Sequence, residues 1–250
     1  MISDPEGTVL ALFIAFCRIG GCMMALPGFS SARLPMQIRF FVAFTVSLAV
    51  LPVLWDSIYP RVTGGDPTVY MKLVFGELMI GVMYGLIARL YTLGLQFTGS
   101  ILAMSIGFSA PGGADIVEDS AENPLTNTIT FAGLMVLFVL DFHHIVFKAL
   151  IDSYTAMPLG GFPDPQRLLI TMTDTLSEVF MIMLRLASPF LVFGLMFNVA
   201  VGLVNKLAPQ IPLYFVSTPY LLIGGIFLLY LSIAALLRQF ADGFAAIFMG

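Results

Sequence analysis

The chain has 250 residues, 59% of them hydrophobic and 10% charged, with a mean hydropathy of +0.98 and a formal net charge of −4. Soluble domains carry about a quarter of their residues as Asp, Glu, Lys or Arg, so this composition points away from a soluble enzyme or binding module and to the membrane class. The basic residues form no run suited to nucleic acid, and Cys17 and Cys22, on different faces of one helical segment, imply neither a disulfide framework nor a metal site.

A spanning helix takes roughly 20 apolar residues. The first such region is 8–26; the residues before it include Asp4 and Glu6 where a secretory signal would carry Lys or Arg, so it reads as a retained helix. The second is 38–55. The third, 69–110, is too long for one simple crossing, and the fourth is 128–151. The fifth, 167–207, is again overlong and contains Pro189; the sixth is 211–237. The expectation is an all-α, polytopic helical chain whose overlong regions are extended or hairpin helices, bent at Gly94, Gly99 or Pro189. The connections are short and rich in Gly, Pro, Ser and Asp, with no soluble domain inserted, which speaks against a receptor or a pump with its own ATPase.

If each region crosses once, Arg33, Arg39 and Lys206 collect on one side, and Arg61, Lys72, Arg167 and Arg238 on the other. The loop-charge rule for orientation therefore decides nothing, and an unusual topology is expected.

The apolar regions also hold Arg18, Glu77, Arg89, Asp141, His143, His144, Lys148, Glu178 and Arg185. Facing lipid together they would cost on the order of 20 kcal/mol, at about 2.5–3.5 for each Arg, Lys or Asp at a helix centre. Spacing offers local pairs: Lys148 with Asp152, Asp141 with His144, and Glu178 with Arg185 two turns on. Two readings stand: structural ion pairs inside a helical bundle, or groups turned to neighbouring subunits or an aqueous path. "GVMYG", 81–85, has the small-xxx-small spacing that lets helices approach closely.

Catalytic patterns are weak. "GFSAP", 107–111, has Pro111 where a G-x-S-x-G nucleophile turn needs glycine, and adjacent histidines point about 100° apart on a helix. H-E-x-x-H, the P-loop and G-x-G-x-x-G are absent, and His143 and His144 lack the i, i+4 spacing of a helical metal site. The rival to a non-catalytic subunit is a small secondary transporter or ion-conducting protein. It would use Glu77, Asp141, Glu178 and Arg185 as a relay, with the overlong regions as broken helices around a midplane site.

One connection is unlike the rest. "GFSAPGGADIVEDSAENPLTN", 107–127, has three glycines, two prolines and four acids (Asp115, Glu118, Asp119, Glu122) and no base. Gly112 and Gly113 permit tight or left-handed backbone, and Pro111 and Pro124 bound the segment. At membrane depth such backbone is tolerated only where protein buries it or it lines an aqueous cavity; a solvated surface turn is the plainer alternative.

Several stretches together resemble the FliR/SctT family of type III secretion export-gate proteins. They are "CRIGGCMMALPGFSSARLPMQIRFFVAFTVSLAVLP", with Arg18, Pro27, Pro35, Arg39 and Pro52; "FGELMIGVMYGLIARL"; and "DFHHIVFKALIDSYTAMPLG", with His143, Leu150, Ser153, Pro158 and Gly160. "ASPFLVFGLMFNVAVGLVNKLAPQIPLYFVSTP" carries the most specific part, in Asn198, Gly202, Asn205, Lys206, Pro209 and Gln210. The resemblance implies one non-enzymatic export-gate domain over 1–250, with a FliP-like part at about 1–165 and a FliQ-like part at 166–250.

It further implies a helical pore built with FliP-type and FliQ-type subunits in the bacterial inner membrane at the flagellar basal body, protruding to the periplasmic side. The FlhB-type switch protein, the FlhA-type export component, rod or rod-adaptor proteins and unfolded export substrates would be its further partners. No cofactor, metal or nucleic acid is implied. Loop 106–123 would be a pore plug, through Ile106, Gly107, Phe108, Ser109, Ala110, Pro111, Gly112, Gly113, Ala114, Asp115 and Ile116. Arg18, Glu77, Arg89, Asp141, His143, Lys148, Glu178, Arg185, Asn198, Lys206 and Gln210 would be buried or intersubunit polar positions.

Overall fold

The computed structural model describes residues 4–29, 34–62, 66–108, 123–159, 165–210 and 213–249. Among these lie seven α-helices: α1 (Pro5–Ala25), α2 (Met36–Val62), α3 (Pro67–Ser105), α4 (Pro124–Val139), α5 (Phe142–Ala156), α6 (Pro165–Leu207) and α7 (Leu213–Met249). Four of them begin on proline, whose fixed φ suits a first helical turn where its missing N–H leaves no gap. Asp4 caps α1 by accepting from the Gly7 amide at 3.1 Å, and Asn123 caps α4 by accepting from the Leu125 amide at 2.9 Å. Five helices are long and apolar enough to cross a membrane, or six if α4 and α5 count as one interrupted span.

Of the two forms expected for the overlong stretches 69–110 and 167–207, the structure has the extended one: α3 is one helix of 39 residues and α6 one of 43. Pro189 is absorbed within α6, where the Ser188 hydroxyl donates at 2.8 Å to the Arg185 carbonyl, the acceptor that a proline four residues on leaves without its helical donor. Two other regions differ from the sequence reading. The region 128–151 is two helices, because Asp141 sits at φ 54, ψ 37 and halts the ladder between α4 and α5. Asp is among the few non-glycine types that tolerate this left-handed conformation. Finally, α7 runs beyond 237 to Met249: polar Arg238, Gln239 and Asp242 lower the hydropathy there, but the buried stripe Leu236, Phe240 and Phe244 keeps the helical period.

The chain divides into two compact units, each discontinuous in sequence. One comprises Met1–Leu90, Asp141–Leu176 and Phe248–Gly250; the other comprises Tyr91–Leu140 and Ser177–Ile247. In the first, Ala11, Ile14 and Ala15 of α1 meet the stripe Leu51, Leu54, Ile58 and Val62 of α2, with Leu73, Tyr154 and Leu159 closing the cluster. Every third or fourth residue of α2 points inward, the 3.6-residue period expected of a helix with one covered face. α1 and the start of α3 touch backbone to backbone. A Cβ on Gly81 would strike the Arg18 carbonyl oxygen, and one on Gly85 would lie 2.5 Å from that of Cys22. The "GVMYG" spacing is thus a packing surface.

In the second unit the Tyr91 hydroxyl donates to the Phe240 carbonyl at 2.7 Å, and its ring lies 4.9 Å from that of Phe240 and 5.4 Å from that of Phe244. The stripe Val179, Met183, Leu186, Ala187 and Phe190 of α6 is buried. The remainder of α6 and most of α7 present apolar side chains outward, Leu195, Met196, Leu207, Phe215, Ile223 and Tyr230 among them.

Candidate functional site

The acidic loop is anchored by a helix stop and a helix start, both in the second unit. α3 ends in a Schellman turn: the Gly107 amide donates to the Met104 carbonyl at 3.2 Å and the Phe108 amide to that of Ala103 at 2.9 Å. Gly107 takes φ +75, the left-handed cap position where glycine has no steric penalty. Ile106 is fully buried and packs directly on Gly225, so closely that a Cβ there would meet it. The restart is the Asn123 cap with Pro124 behind it. Of the expected plug residues, Ile106 is buried, Gly107 forms the turn and Phe108 is 40% exposed. Ser109, Ala110, Pro111, Gly112, Gly113, Ala114, Asp115 and Ile116 lie outside the described residues.

In the first unit, two of the misplaced charges find each other. Arg18 of α1 and Glu77 of α3 form a two-pronged pair, Nε to Oε2 at 2.5 Å and Nη2 to Oε1 at 2.9 Å, with both residues nearly fully buried. The guanidinium also donates from Nη1 to Ser153 Oγ at 2.9 Å and from Nη2 to the Met157 carbonyl at 3.1 Å, and lies 3.7 Å from the Tyr154 ring centroid. The Ser153 hydroxyl in turn donates a hydrogen bond to the Leu150 carbonyl. Fork geometry matches the guanidinium to carboxylate, and the aromatic face adds a cation–π contact. Three helices are tied by one arginine, and the Glu77 carboxylate is engaged on both oxygens. That leaves it poorly suited to a proton or ion relay. Sequence reasoning gave Arg18 and Glu77 as candidates but missed Tyr154 and the Met157 carbonyl as their partners; Ser153 stood in the same motif without a role.

The remaining candidates are distributed differently. Arg89, Lys148, Glu178, Arg185, Lys206 and Gln210 are exposed. Neither the Lys148–Asp152 nor the Glu178–Arg185 spacing yields an ion pair among the described residues. The exposed Asn198 turns its Nδ2 onto the Gly194 carbonyl of its own helix at 2.8 Å. Lys206 lies in the last turn of α6, where a cation complements the helix dipole. Asp141 is the shared centre of contacts to His143 at 3.8 Å and His144 at 3.9 Å. Glu77 and Asp141 belong to one unit, Glu178 and Arg185 to the other.

Residues 9–247 match the family described as bacterial export proteins, family 1. The chain is 27% identical over 231 residues to the flagellar biosynthetic protein FliR of Caulobacter vibrioides, spanning 92% of this chain and 90% of that one. It is 23% identical over 221 residues to FliR of Escherichia coli, with 87% and 82% covered, and 24% identical over 252 residues to FliR of Aquifex aeolicus, with 97% and 93% covered.

Proposed function

The chain belongs to the bacterial export proteins of family 1, the non-enzymatic FliR/SctT export-gate family, and from that footing we propose that it is a subunit of a flagellar type III export gate. In this reading it joins FliP-type and FliQ-type subunits around a channel for rod, hook and filament proteins, which pass through unfolded. FlhB-type and FlhA-type components and rod or rod-adaptor proteins are the neighbours of that assembly. The flagellar setting is supported by the names of the similar proteins above.

The observation that carries the reading is the mismatch between helix length and covered surface. At 1.5 Å per residue, α3, α6 and α7 are about 58, 65 and 55 Å long. Even a 40° tilt lets a 30 Å hydrocarbon core take up only about 39 Å of helix. Such helices leave the core at one side or both, yet only 11% of the apolar window of α7 and 33% of that of α6 is buried within the chain. Exposed Glu178 and Arg185 lie on the same α6. Apolar surface and charge interleaved on helices that outrun the bilayer suit burial by other proteins, in a complex projecting from the inner membrane to the periplasmic side. A FliP-like 1–165 and a FliQ-like 166–250 would let one chain close a ring of such subunits. The test is copurification: two further small hydrophobic proteins, in several copies, are expected with this chain, and a lone, solute-transporting chain in liposomes would overturn the proposal.

Within that assembly, loop 106–123 acts as the plug that closes the resting channel. Its two anchors support this. A glycine-capped helix stop and an Asn-Pro helix start fix both ends on packed helix, leaving a short segment to be displaced. Deleting 112–116 should make cells leak ions and small solutes while the complex still assembles; unchanged permeability would sink the plug assignment.

A further inference from the structure

We propose that Asp141, His143 and His144 form a binding site for a divalent transition-metal ion of the zinc class at the break between α4 and α5. His143 Nε2 and His144 Nδ1 lie 3.8 and 3.9 Å from the same carboxylate oxygen, Asp141 Oδ1, and one donor atom from each of the three residues falls within 4.8 Å of the others. The i, i+4 rule for helical metal sites assumes an unbroken helix. Here the left-handed Asp141 turns its carboxylate back over the first turn of α5, and consecutive histidines serve where their spacing alone gave no site. A tetrahedral ion with bonds of about 2.0–2.1 Å holds its ligand atoms roughly 3.3–3.4 Å apart, so the three donors close on it by side-chain rotation. Two of them have room to rotate: the side chains of Asp141 and His144 are 67% and 74% exposed, while that of His143, at 29%, is the more covered member.

Two features of Asp141 separate this cluster from an ordinary helix start. It occupies the N-cap of α5, yet its side chain makes no cap hydrogen bond, so the carboxylate is not used in the role that Asp usually takes there. It is also the one non-glycine residue with positive φ among those described, a conformation that tends to persist where surrounding structure or function requires it. Two imidazoles and one carboxylate suit zinc, cobalt, nickel or iron over magnesium and calcium, which favour all-oxygen sites. A fourth position stays open for water or a ligand from another chain.

The test uses the full-length protein without a histidine tag, purified both alone and with its copurifying partners. Cobalt(II) serves as the optical probe and zinc(II) as competitor. One equivalent of cobalt is expected, with visible absorption of the tetrahedral kind that zinc abolishes and millimolar magnesium does not. Asp141→Gly and His144→Gln should each weaken binding at least tenfold. Glycine accepts the φ of this position, and His144 is exposed, so both variants keep the helix break, which circular dichroism verifies. Absence of saturable one-equivalent binding, or binding left unchanged by both substitutions, overturns the site.

Discussion

Arg18 with Glu77, and Glu178 with Arg185, carry the same sequence signature, an acid and a base in apolar surroundings, and meet opposite ends. The first two are 59 positions apart, on different helices, and are buried in a fork-shaped pair. The second two are seven positions apart on α6, and both stay exposed with no ion pair. Two turns of one helix separate residues by about 10.5 Å along its axis, whereas two helices crossing at glycines bring side chains within hydrogen-bond reach at any sequence distance. The first unit buries one acid and one base against each other, while Glu178 and Arg185 of the second stay at its surface.

The sharpest way to break this comparison is to strand one member of the buried pair. Arg18→Met or Glu77→Leu alone should destabilise the chain by about 3–5 kcal/mol, because the surviving charge is left buried and unpaired, while the double substitution should regain most of the loss. Thermal unfolding in detergent and the steady-state amount in membranes read this out. Equal behaviour of single and double variants would remove the pair from its structural role. Next in size is Gly81→Val. The atom in its path is backbone, the Arg18 carbonyl, which cannot swing aside as a side chain would; a loss of roughly 1–3 kcal/mol is expected in the same assays.

Glu178→Gln and Arg185→Gln sharpen the comparison from the other side. Being exposed, they should alter the unfolding of the isolated chain by no more than about 0.5 kcal/mol, yet reduce the yield of complex recovered with partner subunits. Abolition of small-solute flux by the purified chain, with assembly intact, would instead favour a transporter. The smallest effect concerns Asp4. Bonds from the Gly7 amide and the Tyr59 hydroxyl hold its carboxyl below the usual range. A lowered pKa means that the stabilisation is full above the ordinary carboxylate value of about 3.9 and fades as the pH falls through the lowered one. Asp4→Asn should flatten that acid limb of the unfolding profile; an unchanged limb would free Asp4 of any part in it.

The anchors of the acidic loop were partly legible. Pro124, one expected bound, is the first residue of α4, whereas the apolar run to 110 hid the stop at Gly107, where the left-handed glycine ends α3 at Ser105. The ionic network was only half legible. Arg18 and Glu77 stood out because charge in apolar sequence needs an explanation, but nothing in the spacing of Tyr154 or Met157 marks them as the arginine's neighbours.

The sequence by itself determined that the chain is helical and membrane-like, where most helices begin, and which face of each seeks cover, since capping, proline geometry and a 3.6-residue period act within a few residues. The tertiary structure decided the rest. It set the break at Asp141, a backbone conformation that the unbroken apolar composition of 128–151 hides, and it carried α7 through Arg238 and Asp242 on the strength of a buried stripe. It also chose Glu77 as the partner of Arg18, because periodicity reports only which residues share a helix face, while pairing depends on where two helices cross.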